Sequence, residues 1–113
     1  MHEERLKAAG LTLPDAATPS FSYVPVTVHG GVAYVSGQMP KVDGEVRVFG
    51  KVGAEVDLET AQGEARVCIL QGLACLRAEL GTLDRVERIL KINGYVASAP
   101  GFNAQPKVID AAS

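Results

Sequence analysis

Cysteine is scarce in this 113-residue chain, which contains only Cys68 and Cys75. Two cysteines cannot build the disulfide framework of a small secreted domain. They stand seven positions apart in a segment that reads as one helix, so their Cα atoms would lie roughly 10 Å apart, too far for a disulfide. No His or Asp nearby completes zinc-ligand spacing. We interpret both as packing residues, with redox or metal roles as lesser alternatives, and expect no metal site.

Long apolar runs and clustered basic residues are also missing. No stretch approaches the roughly 18 to 20 apolar residues that cross a bilayer, and Met1–Arg5 carries acids in place of the apolar core of a secretory signal. The formal net charge is -2, and the lysines and arginines are scattered along the chain, whereas phosphate binding requires them in clusters. We therefore expect a cytoplasmic protein without a nucleic-acid or membrane partner.

The length predicts one domain, residues 1–113, with a modest core. Periodicity and turn residues predict its elements. The first half is predicted to contain a short helix over Glu3–Ala9, a loop over Leu11–Ser22, and strands over Tyr23–Val28 and Val32–Ser36 that are joined by a turn at His29-Gly30-Gly31. A turn at Asp43-Gly44, a strand over Glu45–Phe49 and a turn at Gly50–Gly53 follow. The second half is predicted to contain a long helix from an Asp57 cap to Leu80, a strand over Arg85–Ala97 and a second helix from about Phe102.

Two predicted elements carry further expectations. The long helix has one apolar stripe, as expected of a helix that covers a sheet. Gly63 and Gly72 interrupt it at about 1 kcal/mol each relative to Ala, for which close backbone approach is the expected compensation. The late strand would pack its apolar face, which includes Leu90 and Ile92, on the helix. Its mixed face would meet solvent or another subunit, and we favour the subunit.

The end of the second strand is the candidate binding region. There Val32-Ala33-Tyr34-Val35 changes to the small, polar Ser36-Gly37-Gln38, which opens a gap at the sheet end where a ligand could reach a hydroxyl and the backbone. Without other information, a tyrosine in the position of Tyr23 is more often a packing aromatic than a ligand contact, and a serine in the position of Ser36 more often only ends a strand. Ser36 is not in the Gly-x-Ser-x-Gly setting of hydrolase nucleophiles.

The order of these motifs resembles the RidA (YjgF) family, in particular its YjgF-like or endoribonuclease L-PSP-like branch. The motifs are Tyr23, then Ser36-Gly37-Gln38-Met39-Pro40, Gly50–Gly53 and Gly81–Val86, and the likeness covers about Gly10–Ser113. It implies an α+β, chorismate-mutase-like fold in which two helices back one face of a sheet and three copies associate around the other.

The resemblance also implies a site and a reaction. Residues matching Tyr23 and Ser36 line a small pocket between subunits of a homotrimer, and the Gly37 backbone helps to bind the ligand. A late Arg grips the substrate carboxylate and a late Glu positions water. Better-studied members hydrolyse reactive enamines and imines to a keto acid and ammonia, without a cofactor. A non-catalytic small-metabolite-binding protein and an endoribonuclease L-PSP-like activity are the alternatives.

Two departures from the family pattern bear on activity. The sequence ends before the catalytic Arg and Glu, so the catalytic residues are unknown and the chain reads as C-terminally incomplete. The position of the pocket-side Asn found in typical members aligns with Pro106, which follows Gln105.

Overall fold

The computed structural model describes residues 1–16 and 22–113. The elements mix helices with antiparallel strand pairs, which confirms the predicted α+β class. In chain order they are α1 (His2–Ala8), β1 (Val26–His29), β2 (Val32–Val35), β3 (Lys41–Val42), β4 (Glu45–Val46), α2 (Leu58–Leu80), a 3-10 helix (Leu83–Arg85) and α3 (Gln105–Asp110).

The chain forms two compact units. The first contains Met1–Gln38 and Leu70–Ile89, and the second contains Met39–Ile69 and Leu90–Ser113. Of the loop predicted over Leu11–Ser22, residues 17–21 lie outside the described residues, and residues 11–16 have no regular secondary structure.

The first unit contains the predicted hairpin. Strands β1 and β2 pair antiparallel, with Val26 opposite Val35 and Thr27 opposite Tyr34. Gly30 and Gly31 both have positive φ, +56° and +76°, the backbone that a two-residue hairpin turn requires and that glycine adopts without strain. Val26 is buried against Cys75, Leu76 and Leu83, and these four residues form the centre of the first unit's core.

Helix α2 begins and ends where local signals predict. The Asp57 carboxylate accepts a hydrogen bond from the Thr60 N–H at 2.7 Å, as an N-cap does. Gly81 follows the last turn at φ +83°, and its N–H donates to the Arg77 carbonyl. The close approach expected at the two helical glycines is absent at both: a Cβ on Gly72 would make ordinary contacts, at 3.8 Å with Gln38 and 3.9 Å with Val35, and one on Gly63 would meet no atom within 4 Å.

Both cysteines have free thiols, and Cys75 belongs to the core of the first unit. Cys75 is buried and Cys68 is half-buried. Burial raises the pKa of both thiols, and the Glu64 carboxylate adds to the increase at Cys68, because both effects disfavour the charged thiolate.

The strand predicted over Arg85–Ala97 is wrong in its pairing. Residues 86–97 form no strand ladder within the described residues, and the pairing gives two separate two-stranded sheets, β1-β2 and β3-β4, where one sheet was expected. Val86 packs in one core and Val96 in the other, and Gly94 lies against the Ile109 side chain. Leu90 and Ile92, expected on a buried face, are exposed. Apolar alternation identifies a chain that could pair, but a strand also requires a partner.

The second unit contains a small core of its own. Val52, Val56, Ala61 and Val108 are its buried residues. The turn predicted at Gly50–Gly53 lies later in the chain, over residues 53–55, and Val52 bridges to Val56 and Ser98. Helix α3 starts at Gln105, three residues later than predicted, with Pro106 in its first turn. In the parts of the chain that the structure describes, no helix has the length and apolar character needed to cross a membrane.

His2, at the start of α1, is tied to the segment around Asp84. Its backbone N–H donates to the Asp84 carboxylate at 2.9 Å, and its ring lies 2.8 Å from the Val86 carbonyl. The Met1 ammonium is 3.0 Å from the same carboxylate. Asp84 therefore anchors α1.

Candidate small-ligand site

An open depression of about 640 Å³ lies on the first unit, beside the β1-β2 hairpin. Tyr23 and Ser36, the two side chains singled out in the sequence, both line it. The lining residues are Ser22, Tyr23, Val24, Thr27, Tyr34, Val35 and Ser36.

The hairpin register explains how distant residues meet there. Thr27 and Tyr34 face each other across the strands, and cross-strand partners project from the same side of a sheet. The Ser36 N–H donates to the Pro25 carbonyl at 2.8 Å, which continues the pairing one step past β2. The segment that carries Tyr23 is thereby held alongside Ser36, although thirteen positions separate the two residues.

The Ser36 hydroxyl has a structural bond and spare acceptor capacity. It donates to the Val24 carbonyl at 2.6 Å. A hydroxyl has one donor and two acceptor lone pairs, so in this arrangement Ser36 can accept a hydrogen bond from a ligand N–H or O–H. The sequence indicated the hydroxyl as a candidate but not this bond.

Gly37 is adjacent to the depression but does not line it. It is exposed, its φ is not in the positive range, and a Cβ there would meet no atom within 4 Å. Neither backbone strain nor a close contact within the described residues explains the glycine. Its predicted role, backbone approach by a ligand, is untested and stays a prediction.

Gln38 is a residue that sequence reasoning missed. Its side-chain amide donates to the Ser36 carbonyl at 3.0 Å, and its amide oxygen lies 3.9 Å from the Cys75 sulfur, which donates to it. The Gln38 Cγ also lies close to α2, 3.8 Å from the position that a Cβ on Gly72 would occupy. The available signal was the polar Gln38 directly after Ser36-Gly37, together with a buried glycine in the long helix.

The chemistry of the lining is that of a binding surface. Five of the seven residues carry hydroxyls, two are valines, and none is an Asp, Glu, Lys, Arg or His. Such a surface can orient a small polar molecule, but it offers no carboxylate or imidazole to move protons near neutral pH. The described residues contain no group of three or more metal-ligating side chains.

Pro106, in the second unit, occupies the position at which typical members of the family that the sequence resembles have a pocket-side Asn. The neighbouring Gln105 donates from its side-chain amide to the Ser98 hydroxyl at 3.1 Å and to the Phe102 carbonyl at 2.8 Å. These bonds fix the turn that leads into α3. Gln105 therefore has a structural task within its own unit.

The structure is a small α+β fold with a hydroxyl-lined depression at the end of a hairpin. Residues 3–113 match the family described as "YjgF/chorismate mutase-like, putative endoribonuclease". The chain therefore belongs to the YjgF family, as the order of its motifs predicted.

Relatives of known sequence or structure agree with this assignment. Protein TCP17 of Trypanosoma cruzi is 41% identical over 108 residues, which cover 96% of this chain and 68% of that protein. The structure of Atu1372 from Agrobacterium tumefaciens, a protein of unknown function, is 44% identical with a TM-score of 0.85, over 97% of this chain and 66% of that one. A "putative endoribonuclease" from Shewanella oneidensis is 30% identical with a TM-score of 0.86, over 97% and 73%. The chain thus spans about two thirds of the length of these relatives.

Proposed function

We propose that this protein is an enamine/imine deaminase of the YjgF family, which hydrolyses a small reactive imino acid to a keto acid and ammonia. The observation that supports this most is the presence of Tyr23 and Ser36 on one depression. Family membership and the Ser36-Gly37-Gln38 strand end add to it.

In this proposal the described residues bind and orient, and do not themselves activate water. The Tyr23 hydroxyl and the free lone pairs of Ser36 hold the imino acid, while water adds to the carbon of the protonated imine. The carbinolamine then loses ammonia and leaves the ketone. The guanidinium for the substrate carboxylate and the carboxylate for the water come from the residues that the family resemblance implies.

The same resemblance supports a homotrimer in which each site lies where two protomers meet. We include this arrangement in the proposal, together with cytoplasmic residence, which suits a protein with two free thiols. A shared site would enclose the depression, whose lining is half open in one chain, with Tyr23 43% exposed and Tyr34 60% exposed.

The test is kinetic. 2-Aminoacrylate is generated in place by a pyridoxal-phosphate lyase, and pyruvate release is followed with and without the intact protein, which in this proposal also supplies the Arg and Glu that the resemblance implies. We expect acceleration that Tyr23→Phe reduces and Gln62→Met preserves, because the Gln62 side chain bonds to the Lys107 carbonyl and lies outside the depression. Release at the buffer rate would refute the deaminase proposal.

Non-catalytic binding of a small metabolite is a second candidate, favoured by a lining without ionised side chains. It predicts saturable binding of pyruvate or another short keto acid with no turnover of the imine. Equilibrium dialysis beside the kinetic assay separates the two functions.

RNA cleavage is a third candidate, because the family and one structural neighbour are both described as a "putative endoribonuclease". The net charge of -2 and the absence of basic residues from the depression disfavour it. We expect purified protein to leave a labelled RNA intact, and cleavage that follows the protein through successive columns would reverse this ranking.

A further inference from the structure

The peptide bond between Ser36 and Gly37 is held from one side only. Its carbonyl belongs to Ser36 and accepts from the Gln38 side-chain amide at 3.0 Å. Its N–H belongs to Gly37 and has no hydrogen-bond partner among the described residues. Because a trans peptide is planar, its N–H points opposite to its carbonyl. Fixing the carbonyl therefore fixes the direction of the free Gly37 N–H.

The Gln38 side chain is itself well placed for this task. Cys75, a buried residue of α2, donates from its thiol to the Gln38 amide oxygen at 3.9 Å. With the oxygen end of the amide accepting from Cys75, the nitrogen end faces the Ser36 carbonyl. The Gln38 Cγ lies 3.8 Å from the Cβ position of Gly72. Gln38 thus connects the buried face of α2 to the peptide that follows β2.

From this arrangement we infer that Gln38 is a positioning residue, which orients the Gly37 N–H as a ready-made donor for an anionic oxygen of the ligand. The inference rests on the proposed function, since the ligand in view is the small acid of that proposal. A donor that is already oriented loses little entropy on binding and favours negative charge at its target. The open space around Gly37 leaves room for a ligand oxygen to approach.

The test uses Gln38→Met, which keeps the length and packing of the side chain and removes both hydrogen bonds. Gln62→Met is the matched control, because the Gln62 amide also donates to a backbone carbonyl at 3.0 Å, that of Lys107 in the second unit. Two quantities are measured on the whole protein: the {¹H}-¹⁵N NOE of the Gly37 amide without ligand, and the Kd of pyruvate.

We expect Gln38→Met to lower the Gly37 NOE and to weaken pyruvate binding about three- to tenfold, the range for loss of one hydrogen bond. Gln62→Met should change neither quantity. A general loss of stability would lower NOE values throughout the first unit, whereas the inference requires a change centred on Gly37.

A second variant adds a pH signature. In Gln38→Glu the ionised carboxylate cannot donate to the Ser36 carbonyl, but the protonated acid can. Pyruvate binding by this variant should therefore strengthen, relative to the native protein, as the pH is lowered through the titration of the introduced carboxyl group. A constant ratio of the two Kd values across that pH range would count against the positioning role.

The outcomes separate the inference from the proposed function. If the native protein binds pyruvate but Gln38→Met leaves the Gly37 NOE or the Kd unchanged, the positioning role is refuted and the proposed site stands. If the native protein neither binds pyruvate nor accelerates imine hydrolysis, the proposed function fails and the ligand role of Gly37 fails with it.

Discussion

At the residue scale, the Ser36-Gly37-Gln38 step combines three different tasks. Ser36 ties the end of β2 to the segment before β1 through its N–H and its hydroxyl. Gln38 holds the Ser36 carbonyl against α2. Gly37 has neither a positive φ nor a close contact, so the fold places no demand on its lack of a side chain. Its proposed use is to leave space beside the depression.

Gly37→Ala tests that use directly. A Cβ there meets open space and no positive φ, so we expect the urea unfolding midpoint to stay equal to the native value or to rise slightly, as alanine restricts the unfolded chain. Pyruvate binding should weaken several-fold, because the added methyl occupies the approach to the Gly37 backbone. Unaltered binding by a folded variant would remove Gly37 from the site.

Gly53→Ala, unlike Gly37→Ala, is expected to destabilise the protein. Gly53 has φ +93°, and a Cβ would come 2.9 Å from the Phe102 Cβ. We expect a loss of about 1–3 kcal/mol in the free energy of unfolding, measured with urea, from strain and crowding together. Gly101→Ala is the control, since Gly101 shares a positive φ, +85°, but faces open space. Equal losses at both positions would show that crowding by Phe102 contributes nothing.

At the scale of elements, the sequence was sufficient to predict an element when the residues that start or end it are part of that element or next to it. Gly30-Gly31 predicted the hairpin, and Asp57 and Gly81 predicted both ends of α2. Sequence reasoning failed where distant partners decide. Residues 86–97 alternate like a strand but have no ladder among the described residues, and the pairing of His2 with Asp84 spans 82 positions.

The same distinction applies to the candidate site. Tyr23 and Ser36 were identified through a resemblance, and the hairpin register brings them together. Gln38 was not identified, because its partners are a backbone carbonyl and Cys75, 37 positions away. Neither contact produces a periodic residue pattern from which it could be predicted.

The cap of α2 gives a pH-dependent prediction. Hydrogen bonds from the Thr60 side chain and backbone lower the pKa of Asp57. A lowered folded-state pKa stabilises the protein above the unfolded pKa, near 3.9, and the contribution is lost as pH falls through the folded value. Asp57→Asn keeps a capping oxygen without this titration. We expect native-like thermal stability at pH 7 and a smaller loss than the native protein shows between about pH 4 and pH 2.

Asp57→Ala provides the contrast for that experiment, because it removes the acceptor at every pH. It should lower the melting temperature at pH 7 as well as in acid. An Asn variant that loses as much stability in acid as the native protein would show that Asp57 does not contribute to the acid response.

At the scale of the whole molecule, the proposed site requires association. In the proposed trimer it would lie between protomers. The exposed side chains of residues 89–95 include Ile89, Leu90 and Tyr95, the last 91% exposed. We expect sedimentation equilibrium at micromolar concentration to give about three times the 11.9 kDa chain mass. A species of single-chain mass throughout a dilution series would contradict the trimer and would leave the depression open to solvent.

The most direct test of the central claim is to locate where a small keto acid binds. Pyruvate is titrated into ¹⁵N-labelled protein, and the amide shift of each residue is followed to saturation. We expect the largest changes on Tyr23, Val24 and Tyr34–Gly37, around the depression beside the hairpin. Changes centred elsewhere, or none at millimolar pyruvate, would contradict a ligand site at the end of β2.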